Sequence, residues 1–211
     1  MILVLLGAPG TGKGTISRII SEKYNIPCVS TGEMLRKTED LTEEAKDLLS
    51  RGELLPDSVI NDLLVKRISK EDCANGFILD GYPRNLAQAE SLDVLLGKLN
   101  KKIAAAIHLD APIETIYRRI LSREECVKCR ATYSKDTPTK VAGICDKCGG
   151  EVKVRMDDNK EALDNRMEVY ESKTKPIIDY YKKQNLLRVV DSSKTPEYAM
   201  ERFEEFANDL H

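Results

Sequence analysis

The sequence predicts a three-layer α/β domain built on a mostly parallel, five-stranded sheet. Three observations lead there. Short apolar runs recur along the chain, stretches with helical spacing separate them, and the first run ends in a glycine-rich loop closed by a lysine. All-apolar runs of this length fit strands buried on both faces, and strands alternating with helices imply a parallel sheet covered on both sides.

Ile2 to Leu6 is apolar throughout and breaks at Gly7-Ala8-Pro9-Gly10, which makes it the first strand. Ile16, Ile19 and Ile20 recur at helical spacing and carry the next helix to Tyr24. Cys28-Val29, Phe77-Ile78-Leu79, Ala104 to Leu109 and Leu186 to Val190 supply the other strands. Helices are expected over Asn61 to Ile68, Leu86 to Leu99, Ile113 to Leu121 and Ala162 to Tyr181. Thr195-Pro196 pairs an N-cap with proline at the first helical position and opens a last helix toward Asp209.

Two segments break this rhythm. Thr31 to Val59 is strand-free, and Arg123 to Asp158 is rich in Gly, Thr, Lys and Cys with little helical periodicity. Both read as insertions over the carboxyl edge of the sheet, where ligands bind in such folds. The expected division is a core of residues 1–29, 60–121 and 159–211, with insertions at 30–59 and 122–158.

Composition narrows the function classes. The 211 residues carry 33 Lys+Arg against 35 Asp+Glu, a formal charge of −2, with 41% hydrophobic and 32% charged side chains. That is a soluble globular balance, without the broad basic face that duplex nucleic acid requires. No apolar run approaches the ~18 residues of a membrane span, and no basic region precedes the apolar start. A cytoplasmic protein is expected, with no nucleic-acid or membrane partner. Nothing suggests an obligate interface, so a monomer is expected.

Gly7-Ala8-Pro9-Gly10-Thr11-Gly12-Lys13-Gly14-Thr15 lies between a strand and a helix, the context a P-loop needs. Glycines let backbone N–H groups turn inward as an anion nest, and the helix N-terminus adds positive potential. Lys13 would reach the terminal phosphates of a nucleotide. An ordinary glycine-rich turn is the weaker alternative. The general motif places Ser or Thr directly after the lysine; here Gly14 stands there and Thr15 follows.

Cys126-Val127-Lys128-Cys129 and Cys145-Asp146-Lys147-Cys148 are separated by 15 residues. Four thiolates at this spacing match a tetrahedral structural zinc site, closed to water and so not catalytic; iron can occupy the same donor set. A redox pair would need one CxxC beside a βαβ unit. A base-reading zinc ribbon would need interleaved aromatics, and only Tyr133 is present. The metal would fold a segment too poor in apolar residues to form its own core. Cys28 reads as a small buried hydrophobe, and Cys73 has no assigned role.

The loop GAPGTGKGT resembles that of adenylate kinases, and further motifs follow in that family's order. Ser30-Thr31-Gly32-Glu33-Met34-Leu35-Arg36 resembles its monophosphate motif, and Gly76 to Arg84 its second signature, with Gln88 one turn on. Arg119 and Arg123 precede the second insertion; Arg155-Met156-Asp157-Asp158 and Arg166 follow its cysteines. The chain is thus similar to the long-lid, metal-binding adenylate kinases of many bacteria.

That resemblance implies Mg-dependent exchange of ATP and AMP with two ADP. It assigns ATP phosphates to Gly10, Thr11, Gly12, Lys13, Gly14 and Thr15. ATP contacts also fall on Arg123, Thr132, Tyr133 and, through its backbone, Lys194. AMP falls to Thr31, Arg36, Glu53, Leu54, Leu55, Gly81, Tyr82, Pro83, Arg84, Gln88, Arg155 and Arg166, with Glu53 acting through its backbone. Asp80 would hold magnesium through water. The segment 30–59 becomes the AMP-binding insertion and 122–158 a zinc-binding lid. Thr31 and Gln88 resemble an adenine-selecting pair.

The chemistry agrees with those assignments. Phosphoryl transfer between polyanions needs positive charge and in-line alignment. Lys13, Arg84, Arg119, Arg123, Arg155 and Arg166, with Arg36, are the candidates, and arginine grips phosphate through a planar fork. No general base is needed, because a monophosphate with a second pKa of roughly 6 is already mostly dianionic at pH 7. His108 and His211 are therefore expected to be structural or incidental. Two other readings stay open: a kinase for another nucleoside monophosphate, and a P-loop ATPase or switch with a zinc module.

Overall fold

The computed structural model describes residues 1–38, 42–51, 53–155 and 158–210, apart from the side chains of residues 36 and 37. Elements follow the expected alternation. Strand β1 (Ile2–Leu6) leads through the glycine loop to α1 (Lys13–Tyr24) and β2 (Cys28–Ser30). Helices α2 (Thr31–Lys37), α3 (Glu43–Ser50) and α4 (Asp57–Ile68) come next, then β3 (Phe77–Asp80) and α5 (Leu86–Lys98). After β4 (Ala105–Asp110) and α6 (Ile113–Leu121), three short strands occupy the second insertion: β5 (Glu124–Cys126), β6 (Thr132–Tyr133) and β7 (Val152–Val154). The chain closes with α7 (Lys160–Val169), α8 (Pro176–Lys183), β8 (Leu187–Asp191) and α9 (Pro196–Ala207).

The five core strands are all parallel, in the order β2-β3-β1-β4-β8. Leu3 pairs with Ile78 on one side and Ala105 on the other, so β1 lies at the centre and its loop over the middle of the carboxyl edge. Because strand side chains alternate, β1 feeds two cores at once. Ile2, Val4 and Leu6 pack with α4, α5 and α8 through Leu64, Leu92 and Tyr181. Leu3 and Leu5 pack with α1 and α9 through Ile16, Ile20 and Phe203. Among the described residues, no helix is long and apolar enough to cross a membrane.

Two expectations are adjusted. The stretch from Ala162 to Tyr181 is not one α-helix. A π-helical turn, Tyr170–Thr174, separates α7 from α8, and Lys175 N–H reaches back to Tyr170 O at 2.8 Å. Pro176 supplies the reason: it has no N–H and its ring crowds the preceding turn, so the α ladder cannot run through it. At the other insertion, α4 starts at Asp57, so it crosses the boundary drawn between residues 59 and 60.

Candidate active site

The carboxyl ends of the strands open into one cleft of about 1440 Å³. That exceeds the roughly 300–1,000 Å³ of a site for one drug-sized ligand. Its floor is the glycine loop. Gly7 has φ +142°, and a Cβ there would lie 2.5 Å from Leu109 O, so only glycine lets β1 turn beside β4. Helix α1 begins at Gly12 without a side-chain cap, which leaves its N-terminal amides facing the cleft for an anion. Gly10, Thr11, Gly12, Lys13, Gly14 and Thr15 all line it. The Thr11 hydroxyl is spent inside the loop, donating to Ala8 O at 2.9 Å.

Lys13 lies at the floor with Nζ donating to Gly7 O at 2.8 Å and Ala8 O at 2.9 Å. Loss of hydration pushes its pKa down to about 8; Asp80 opposes the fall, and the Arg84, Arg123 and Arg166 guanidiniums add to it. A phosphate beside Nζ would raise that value again. ATP affinity should therefore be flat below pH 8 and fall as the pH rises from 8 to 9.5. Proton uptake on binding should appear in that window, readable by calorimetry in buffers of different ionisation heat. Lys13→Arg, which does not titrate there, should remove the slope.

The second insertion folds over this floor. Thr132 Oγ1 lies 3.3 Å from Thr15 Oγ1, and Arg18 of α1 donates to Arg130 O at 2.9 Å. At the insertion's root, Arg123 forks onto the Asp158 carboxylate at 2.6 and 2.5 Å, and Arg166 of α7 reaches the same group at 3.3 Å. Asp158 is fully buried beneath them. Arg155 faces the cleft from beyond β7. Arg119 donates to the carbonyls of Ser192, Ser193 and Lys194, at 2.8, 3.3 and 2.5 Å. It thereby fixes the 192–194 loop at the cleft wall, while the Lys194 ammonium turns away onto the Tyr198 ring, 4.5 Å from its centroid. Arg118, its neighbour, forks onto Asp136, whose carboxylate also lies 3.5 Å from Arg119 Nε.

On the opposite side, Thr31 donates to Gly81 O at 2.8 Å, as does Arg84 Nε at 2.9 Å. Gln88 accepts from Arg84 N–H at 2.7 Å and donates to Asp57 at 2.7 Å, so both ends of its amide are engaged. Glu53, Leu54, Leu55, Gly81 and Pro83 line this wall. The Glu53 carboxylate pairs with Arg51 at 3.3 Å. Asp80 ends β3 with Oδ2 3.5 Å from where a Gly14 Cβ would stand. The Arg36 side chain lies outside the described residues, as do Met156, Asp157 and His211.

Two of the expected residues have their hydroxyls engaged elsewhere. Tyr82 does not face the cleft. It is 2% exposed in the core, with its hydroxyl on Asn61 at 2.7 Å, because residues flanking it turn outward and its ring goes in. Tyr133 lines the cleft, but its hydroxyl is engaged at the cysteines: it lies 3.2 Å from Cys145 Sγ and accepts from Asp146 N–H at 2.9 Å. Burial and that sulfur push its phenol up to about 12, and its hydrogen bond holds the Cys145 thiol down to about 6.

The sulfurs of Cys126, Cys129, Cys145 and Cys148 lie within 4.8 Å of one another, with two pairs at 3.5 Å. A tetrahedron with metal–sulfur bonds of ~2.3 Å has edges of about 3.8 Å, so the donor set fits a four-coordinate metal. Gly150 is shaped to that cluster, since a Cβ there would meet Cys126 Sγ at 3.0 Å. Only Cys126, Ala131, Tyr133, Cys145 and Val152 form the apolar cluster around it.

Sequence reasoning gave no role to Asp158, Asp57 or Asp136, the carboxylates that hold Arg123 and Arg166, Gln88, and Arg118. The available signal was an acidic side chain inside an arginine-rich motif, at Arg155 to Asp158.

The adenylate kinase family model matches residues 5–186. The chain is similar to the adenylate kinase of Thermodesulfovibrio yellowstonii, at 46% identity over 92% of each chain. It is 47% identical to that of Archaeoglobus fulgidus, again over 92% of each. With the adenylate kinase of Clostridium tetani it shares 43% identity over 100% of this chain and 98% of the other. A loop-to-helix phosphate floor, two arginine-bearing walls and this similarity along nearly the whole sequence lead to one conclusion: the chain belongs to the adenylate kinase family.

Proposed function

We propose that the chain, a nucleoside monophosphate kinase by family, transfers a phosphoryl group reversibly from ATP to AMP, giving two ADP and balancing the adenine nucleotide pool. One observation carries this reading. Besides Lys13 and the glycine loop, the cleft is lined by further cations, Arg84 on one side and Arg123, Arg155 and Arg166 on the other. A P-loop hydrolase or switch needs the floor alone; a second anionic substrate needs the added cations.

Lys13 and the α1 N-terminus neutralise the donor phosphates, and the arginines of the two walls gather the charge that spreads over the transferring group. We assign AMP to Thr31, Arg36, Glu53 to Leu55, Gly81, Pro83, Arg84, Gln88, Arg155 and Arg166. We assign ATP to the glycine loop, Arg119, Arg123, Thr132 and the 192–194 loop. His108 takes no part: its Nε2 lies 3.2 Å from the Tyr170 hydroxyl, and burial lowers its pKa. Magnesium bound with ATP would supply charge neutralisation on its phosphate oxygens, and Asp80 is the carboxylate placed to hold it through water.

Zinc is the metal we assign to the four cysteines. It would staple a lid, residues 122–158, that closes over the core; residues 30–59 would form the AMP-binding insertion. Zinc ligation keeps four thiolates where thiols stay reduced, in keeping with a cytoplasmic monomer. Chelation, or Cys129→Ser, should lower the melting temperature by several degrees, at roughly 2–4 °C per kcal/mol lost for a domain this size. An unchanged melting temperature in metal-free protein would remove the stapling role.

The reaction is tested by mixing ATP and magnesium with each nucleoside monophosphate and following diphosphate. ADP should form rapidly with AMP alone among them. Faster conversion of another monophosphate would reassign the acceptor, and hydrolysis without any acceptor would favour an ATPase.

A further inference from the structure

We propose that Glu125 is a positioning residue for Arg155, tying that arginine to the turn that carries the metal-ligating sulfurs. The inference rests on the phosphoryl-transfer reading above. Glu125 lies on β5 with its side chain only 9% exposed. A carboxylate so placed needs cationic partners, and it has two. Arg130 Nη1 donates to Oε1 at 2.8 Å, and Arg155 Nη1 lies 3.7 Å from Oε2. Each oxygen faces a different arginine.

The two arginines belong to different tasks. Arg155 lines the cleft. At 3.7 Å its pairing with Glu125 is electrostatic, not a hydrogen bond, so the carboxylate orients the guanidinium through a contact that can be exchanged for a phosphate oxygen. Arg130 directly follows Cys129, and its N–H closes the cysteine turn on Cys126 O at 3.0 Å. It does so at φ +61°, a conformation that favours glycine. The arginine there makes one contact that glycine would lack, its side chain on Glu125; its carbonyl, which glycine would keep, accepts from Arg18 of the core. One carboxylate therefore joins the sulfur turn, the lid's seat on α1 and the phosphate-facing arginine.

Glu125→Gln keeps the size and removes the charge. It should lower kcat about tenfold through misplacement of Arg155, while KM for ATP and bound metal per chain stay unchanged and the melting temperature falls by only a few degrees. Arg130→Gly suits the turn's backbone, so it should fold with its metal and lower kcat about threefold. In an Arg155→Met background, followed by single-turnover rates, Glu125→Gln should add nothing further. Full or raised activity in Glu125→Gln would overturn the proposal. So would an equal loss in the Arg155→Met background, or a loss that tracks metal content. Wild-type protein that forms no ADP from ATP and AMP would instead bring down the functional reading, which separates the two failures.

Discussion

Replacing Lys13 by alanine should lower kcat by about 10³-fold, near 4 kcal/mol of transition-state stabilisation, without lowering the melting temperature. Both halves follow from where the ammonium lies. It is held on the Gly7 and Ala8 carbonyls, in the region toward which the free amides of α1 point. Charge developing on a transferring phosphate would meet it with no reorganisation of the loop. The same placement is unfavourable for folding, since burial and three neighbouring guanidiniums hold the lysine's pKa down to about 8. Removing a strained charge relieves the fold while disabling the site, the usual exchange between stability and activity. Steady-state kinetics and thermal melts on one preparation check both. A loss of kcat below tenfold would take Lys13 out of the charge-neutralising role.

Asp158→Ala should damage both activity and stability. The carboxylate is fully buried and accepts a fork from Arg123 and a further bond from Arg166. Taking one partner from a buried charge cluster strands the others and costs about 3–5 kcal/mol when the site is closed to water. Here the arginine side chains keep 20% and 16% of their exposure, so water can recover part of that loss. About 2 kcal/mol is expected, or roughly 4–8 °C in melting temperature. Activity should fall more steeply than stability, because Arg123 stands where the lid begins and Asp158 where it ends. Cutting their link removes the shared carboxylate that orients both cleft-lining guanidiniums. Asp158→Asn, which keeps hydrogen-bond acceptors but loses charge, should lie between wild type and alanine. If Asp158→Ala keeps wild-type kcat, the clasp does not orient the arginines.

The parts of the molecule that were legible in the sequence are those set by local pattern. Ile2 to Leu6 is apolar at every position because both faces are buried, and the glycine loop announces itself by a spacing that only a strand-to-helix turn uses. The cysteine pairs were readable because four sulfurs at those intervals have few other uses. What stayed hidden depends on contacts distant in sequence. Tyr82 sits within a motif read as lining the cleft, yet ring burial sends it to Asn61, 21 residues away. The resemblance implies Thr132 and Tyr133 as a pair; strand alternation gives their side chains different partners, Thr15 for one and Cys145 Sγ for the other. Arg118 and Arg119 are adjacent and chemically alike. Only the position of the 192–194 loop decides which is drawn inward.

Away from its root, the second insertion meets the core among the described residues through Thr15 with Thr132, Arg18 with the Arg130 carbonyl, and the Asp136 carboxylate with Arg118 and Arg119. Hydrogen bonds worth about 1 kcal/mol net and part-exposed ion pairs worth about 0–1 kcal/mol are each weak, so no single one of these contacts would lock a lid shut. Two identical products and two different reactants would pass the same set of contacts, each slight enough to be broken and remade in every cycle.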